Sequence, residues 1–72
     1  MSNPVVVMQG QYILVADIGG KDAVIYNGKH EATELSVDYE IKQADVSGQG
    51  LVALLLEDTS SDMINIYNPY DV

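Results

Sequence analysis

The feature that most constrains the fold of this chain is the strict alternation of apolar and polar residues from Glu34 to Lys42. Successive side chains of a β-strand point to opposite faces of the sheet, whereas a helix would spread these apolar residues around its circumference. The run therefore predicts a half-buried strand with one apolar face and one mostly acidic, hydrated face. The apolar face is formed by Leu35, Val37, Tyr39 and Ile41, and the hydrated face by Glu34, Ser36, Asp38, Glu40 and Lys42.

Turn-forming residues divide the rest of the chain into short apolar segments. Gly19-Gly20 and Asn27-Gly28 separate three of them, and Asn-Gly is a favoured two-residue hairpin turn. Pro69 closes the last segment, because proline cannot continue a central strand. The predicted strands lie near residues 4–8, 11–18, 22–27, 33–42, 51–57 and 62–68. We expect an all-β fold, a small six-stranded antiparallel barrel or sandwich of the SH3-like or Greek-key type.

The length of 72 residues indicates a single small β domain, spanning residues 1–72, with short extended tails at both ends. A core of this size supplies only about 3–5 kcal/mol, so small domains commonly need disulfides, metals or oligomerisation. The chain has no cysteine, which excludes disulfides and thiolate metal sites. Oligomerisation is therefore the expected source of additional stability.

The composition is strongly acidic, since eleven Asp and Glu residues and three lysines give a formal net charge of −8. Affinity for nucleic acids and for anionic membranes depends on Lys and Arg, so we expect neither partner. An acidic surface is attracted to basic patches on other proteins, or it serves only to keep an apolar protein in solution.

No segment has the character of a membrane-spanning or secretory sequence. The longest apolar run, Leu51–Leu56, is far shorter than the roughly 20 residues of a transmembrane helix. The first residues, Met1-Ser2-Asn3-Pro4, lack the basic region of a signal peptide. We therefore expect cytoplasmic synthesis.

Three apolar runs are continuous rather than alternating, namely Val5–Val7, Ile13–Ala16 and Leu51–Leu56. Both faces of such strands are apolar, and a small domain without helices has little with which to cover both. We expect a second copy or another protein to provide the remaining cover, unless a closed barrel wraps around the leucines.

A faint internal repeat links the two halves of the chain. The segment from Gly10-Gln11 to Asn27-Gly28 matches the segment from Gly48-Gln49 to Asn68-Pro69, and the second copy has one additional residue in its last strand. Two hairpins that meet similar structural demands would look alike, and we favour that interpretation over duplication.

The segment Ile13–Lys21 resembles the first phosphate-binding hairpin of bacterial glucokinases and related sugar kinases, in which a strand ends in Asp-Ile-Gly-Gly-Thr. The resemblance implies that Asp17 would help to hold magnesium and that Gly19 and Gly20 would approach the phosphates of ATP. Lys21 replaces the threonine of the family pattern, and the chain cannot contain the two large domains of those enzymes. The alternative interpretation is a tight hairpin whose glycines adopt positive φ angles.

Two further polar segments resemble metal or loop sites only in part. Asp58–Asp62 has the oxygen spacing of the first half of a calcium loop, but Met63 and Pro69 occupy the positions that require glycine and glutamate. His30 is the single histidine and follows a turn. A polar hairpin loop and an exposed histidine are the favoured interpretations.

Asp38 and Glu40 share one face of the predicted strand, roughly 6.5–7 Å apart. Paired carboxylates can hydrolyse glycosides in a deep cleft, but the hydrated face of a small sheet offers none. We therefore expect no enzyme activity, no catalytic residues, no cofactor and no bound metal.

These observations predict a non-enzymatic protein–protein interaction module that acts as a small structural or assembly subunit, such as a virion component. Its partners would be proteins, with a homo-oligomer or a larger assembly expected. The predicted contacts lie on an apolar strand, at Leu54 and Leu56, and in the C-terminal tail, at Tyr70. The ring of Tyr70 could equally fold back onto its own domain.

The acidic residues lead to an alternative function from a different class. An acidic inhibitor could occupy the basic groove of a nucleic-acid-processing complex, with Glu34, Asp38 and Glu40 in the positions that phosphates normally fill. Such binding would weaken steeply as ionic strength rises.

Overall fold

The described part of the chain folds into seven β-strands in two antiparallel sheets. The computed structural model describes residues 1–28, 31–58 and 61–69, and within them there is no helix and hence none that could cross a membrane. Sheet A has the strand order β1-β2-β3-β4 and sheet B the order β5-β6-β7, so neighbouring strands in each sheet are also consecutive in the chain. The strands are β1 (Pro4–Gln9), β2 (Tyr12–Asp17), β3 (Asp22–Asn27), β4 (Glu31–Ser36), β5 (Glu40–Val46), β6 (Val52–Glu57) and β7 (Asp62–Tyr67). The prediction of an all-β antiparallel fold is confirmed.

The two sheets do not close into a barrel. Each is an open meander, and an isolated parallel bridge between Ile18 and Ile41 is the one backbone pairing of strand type between them in the described ranges. Of the two predicted forms, a six-stranded barrel or a six-stranded sandwich, the barrel is therefore not confirmed. The predicted strand at residues 33–42 consists of two strands, β4 and β5, which lie on different sheets.

The alternating run from Glu34 to Lys42 thus turns a corner. β4 ends at Ser36, β5 begins at Glu40, and residues 37–39 connect them. The N–H of Val37 donates a 2.9 Å hydrogen bond to a carbonyl in the β2–β3 connection, which holds the chain at this corner. The alternation predicts which residues can face an apolar core, but it does not predict which sheet contains them.

One apolar core lies against one face of each sheet, which we call the core face. Leu35 and Val37 pack against this core from the end of sheet A, and Ile41 is buried in it from sheet B. Tyr39, which the alternation places in the core, lies in the corner instead and is 38% exposed. The buried hydrophobic residues in the described ranges are Leu14, Ala16, Ala23 and Ile25 of sheet A, and Ile41, Val46, Val52, Leu54 and Leu56 of sheet B.

The β2–β3 connection, residues 18–21, joins the two sheets through backbone hydrogen bonds. The N–H of Gly19 donates to the carbonyl of Ile41, and the N–H of Ile41 donates to the carbonyl of Gly20, both at 2.8 Å. Gly19 has a φ of 86°, a left-handed conformation that favours glycine. These bonds fix the start of β5 against the end of sheet A.

Candidate interaction surfaces

The face of sheet A opposite the core, its outer face, is apolar across three strands. The strand register places Val6, Val15 and Val24 in one cross-strand row, and the next apolar row contains Met8, Ile13 and Tyr26. Val6 is 62% exposed and Met8 is 69% exposed. Contiguous exposed apolar side chains of this kind mark interaction sites more often than scattered single ones do.

The outer face of sheet B is also apolar. Ala53 lies opposite Ile66, and Leu55 lies opposite Ile64. Ile64 is 70% exposed and Ile66 is 62% exposed. Two shallow depressions of about 250 Å³ each lie along this face. Ala53 and the edge-strand residue Asp45 line both of them, with Ile66 in one and with Leu55 and Ile64 in the other. Both sheets therefore carry apolar side chains on both of their faces.

The predicted contact residues on the leucine-rich strand lie elsewhere. Leu54 and Leu56 are 0% and 1% exposed, because the even-numbered residues of β6 point toward the core. Their side chains cannot reach a partner in this structure, and Leu55 between them is the leucine that faces outward. Tyr70, the predicted contact in the tail, lies outside the described residues.

The predicted acidic face is not a continuous surface. Glu34 is exposed on the outer side of β4, opposite Val24 of β3. Asp38 lies in the corner, and Glu40 begins β5 in the other sheet. The three carboxylates were expected on one strand, but the corner at residues 37–39 distributes them over two sheets and the turn between them.

Asp38 and Glu40 belong instead to a shallow depression of about 340 Å³ at the end of the two sheets. Glu57, Asp58, Tyr39 and Lys21 complete its lining. Glu40 and Glu57 are direct cross-strand neighbours, and Glu57 is in turn opposite Asp62 of β7. Lys42 offsets part of this charge through a 3.3 Å ion pair with Asp62.

The described residues contain no group of three or more His, Asp or Glu side chains that could hold a metal ion. His30 lies outside the described residues, as do Thr59 and Ser60 at the centre of the segment that was predicted to be a polar hairpin loop. The segment that resembles a phosphate-binding hairpin has a structural role here. The Asp17 carboxylate accepts a 2.9 Å hydrogen bond from the N–H of Asn3, and Gly19 and Gly20 bond to β5.

The sequence indicated the apolar surplus, and the structure shows which side chains are exposed. Val6 belongs to the run Val5–Val7 that predicted it, whereas Met8, Ile64 and Ile66 were not named as contact residues. The signal was present, because Val5–Met8 is continuous and Ile64 and Ile66 alternate with core-facing residues of β7. Only the register shows which of them point away from the core.

Comparison with known proteins adds family membership. A model of a family of unknown function (DUF5711) matches residues 1–71. The chain belongs to this family. No curated protein and no solved structure matches the chain. Family membership carries no activity with it, so the two outer faces are the features from which a function can be inferred.

Proposed function

We propose that this chain is a non-enzymatic protein–protein interaction module that assembles through the apolar outer faces of its two sheets. The observation that carries the proposal is that each sheet packs one apolar face on the core and presents a second apolar face to solvent. When an antiparallel sheet packs only one face on a core, the other face is hydrated and normally carries polar residues. Apolar residues on both faces are typical of sheets that are covered on both sides.

The energetics favour burial of these faces. Full burial of a Val, Ile or Met side chain contributes about 1.5–3 kcal/mol relative to exposure. Val6, Met8, Ile64 and Ile66 are each more than half exposed, so most of that contribution is still available to a contact. The net charge of −8 opposes association between copies at low ionic strength, and salt screens this repulsion.

The salt dependence of self-association tests the proposal. Light scattering at about 0.05 M and about 1 M NaCl, where screening lengths are very different, should show an oligomer that persists or grows at high salt. A monomer at both salt concentrations, over the full accessible range of protein concentration, would contradict the proposal.

The alternative proposal, an acidic inhibitor of a nucleic-acid-processing complex, now depends on Asp38 and Glu40 together with Glu57 and Asp58 around one depression. Glu34, on β4, is not among the residues that line this depression. A monomer that binds a basic protein at low salt and releases it at high salt would favour this alternative.

A further inference from the structure

The internal repeat allows the faces of sheet A to be compared with the faces of sheet B. β3 and β7 begin 40 residues apart, at Asp22 and Asp62, and each strand leads into a Tyr-Asn pair. Three residues separate Asp22 from Tyr26, whereas four separate Asp62 from Tyr67. Because side chains alternate along a strand, one additional residue moves the tyrosine to the opposite face of its sheet.

The structure contains this inversion. Tyr26 is exposed on the outer face of sheet A, whereas Tyr67 packs against the core from sheet B. When β3 and β7 are aligned at their tyrosines, the residues of β3 that face the core correspond to residues of β7 that face outward. The corresponding pairs are Ile25 with Ile66 and Ala23 with Ile64.

Along β7, the outer face of sheet B therefore has the pattern that the core face of sheet A has along β3, and the outer face of sheet A shares its tyrosine with the core face of sheet B. Inside the chain, the two core faces already share one apolar core, with β1 and β2 of sheet A in contact with β5 of sheet B. An outer face of sheet B that meets an outer face of sheet A would repeat this contact. A contact between outer faces would thus resemble the contact that the two sheets already make inside one chain.

The two outer faces are also chemically suited to such a contact. The apolar rows on β1–β3 and on β6–β7 contain no charged side chain, but each face carries one carboxylate on the adjoining edge strand, Glu34 opposite Val24 on β4 and Asp45 opposite Ala53 on β5. A contact confined to β1–β3 and β6–β7 would leave both carboxylates at its rim, which avoids the cost of burying an unpaired charge.

We infer that the outer face of sheet B binds the outer face of sheet A of a second copy of this chain, so that copies stack head to tail. This inference rests on the proposed function and specifies both the partner and the faces that meet. A head-to-tail contact closes into a ring if the rotation between copies permits closure, and otherwise extends as a filament. Four-stranded meanders arranged radially in a closed ring form a β-propeller, whose units are typically about 40–45 residues long. Sheet A is a meander of this kind, sheet B has three strands in the same order, and β3 and β7 begin 40 residues apart.

Two double variants, each of which blocks one outer face, test the direction of stacking. The A-face variant is Val6→Lys with Met8→Lys, and the B-face variant is Ile64→Lys with Ile66→Lys. All four side chains are more than half exposed, so each variant should retain the fold of the monomer, which circular dichroism checks. A matched control, Gln9→Lys with Gln49→Lys, adds the same two charges at exposed positions outside both apolar faces.

Head-to-tail stacking predicts a specific result in mass measurements. Each face variant alone should be monomeric, with self-association weakened by about 100-fold or more. An equimolar mixture should form a one-to-one dimer and nothing larger, because the intact B face of one variant meets the intact A face of the other. The control should assemble like the unmodified chain.

Other results would overturn the inference, and they can be told apart from a failure of the proposed function. A dimer formed by either face variant alone would show that like faces pair. A mixture that stays monomeric, while the unmodified chain assembles, would also contradict head-to-tail stacking. In both cases assembly through apolar faces would stand, whereas an unmodified chain that is always monomeric would remove the proposed function as well.

Discussion

The Asp17 carboxyl group fills the space that a Cβ atom at residue 20 would need. A Cβ built on Gly20 would lie 2.7 Å from the Asp17 Cγ and closer still to its Oδ2. The same carboxylate accepts a hydrogen bond from the N–H of Asn3, so it ties the start of β1 to the β2–β3 connection. In a segment that resembles a nucleotide-binding hairpin, the aspartate and the second glycine are thus a matched structural pair.

This pairing predicts that Gly20→Ala destabilises the fold by about 0.5–1.5 kcal/mol, because the methyl group displaces the Asp17 carboxyl group and breaks its hydrogen bond with Asn3. Urea denaturation measures the change. Gly48→Ala is the matched control, since nothing lies within 4 Å of a Cβ there, and it should be neutral or stabilising by up to about 1 kcal/mol.

A double-mutant cycle identifies the cause of the Gly20 effect. In an Asp17→Ala background the competing carboxyl group is gone, so Gly20→Ala should cost much less than it does in the unmodified chain. Equal costs of Gly20→Ala in the two backgrounds would show that the carboxyl group is not responsible.

The different positions of Leu54 and Ile64 predict opposite consequences for truncation. Leu54→Ala should reduce the free energy of unfolding by about 2–5 kcal/mol, because Leu54 is fully buried between the sheets. Ile64→Ala removes an exposed side chain and should change the stability of the monomer by less than about 0.5 kcal/mol. Thermal unfolding at concentrations too low for association compares them, and similar losses would contradict the assignment of faces.

The acidic row across sheet B predicts that reversal of one charge stabilises the fold. Glu57 lies between Glu40 and Asp62, and like charges directly opposite one another destabilise a sheet. Glu57→Lys should therefore increase stability by about 0.2–1 kcal/mol at low salt, with a smaller gain at high salt. Glu34→Lys makes the same change in net charge, but Glu34 lies opposite Val24, so this variant should give a smaller gain in stability. An equal gain from both variants would reflect net charge alone.

Chemical labelling predicts that assembly covers the outer face of sheet B. The chain has no cysteine, so Ile64→Cys introduces a single thiol at a position that is 70% exposed in the monomer. Its labelling rate should fall as protein concentration rises, because the thiol becomes buried in the assembly. A thiol at position 49, introduced by Gln49→Cys in the β5–β6 loop, should label at one rate at every concentration. A concentration-independent rate at position 64 would exclude this face from the contact.

The sequence by itself determined the all-β class, the antiparallel hairpins and most strand positions. Alternation and turn chemistry are local properties of the chain, and they place the strands near residues 4–8, 22–27 and 51–57 close to their positions in the structure. The apolar surplus of Val5–Met8 and Leu51–Leu56 was equally readable, since it depends only on which residues are present.

Only the tertiary structure decided where the chain turns and which side chains point away from the core. The run from Glu34 to Lys42 keeps its strict alternation through a corner, because Leu35 and Ile41 face the same core from different sheets. Leu54 and Leu55 are identical residues in one continuous run, yet one is buried and the other faces outward. A shift of one residue in register exchanges such positions, and the register is set by contacts between strands that are distant in sequence.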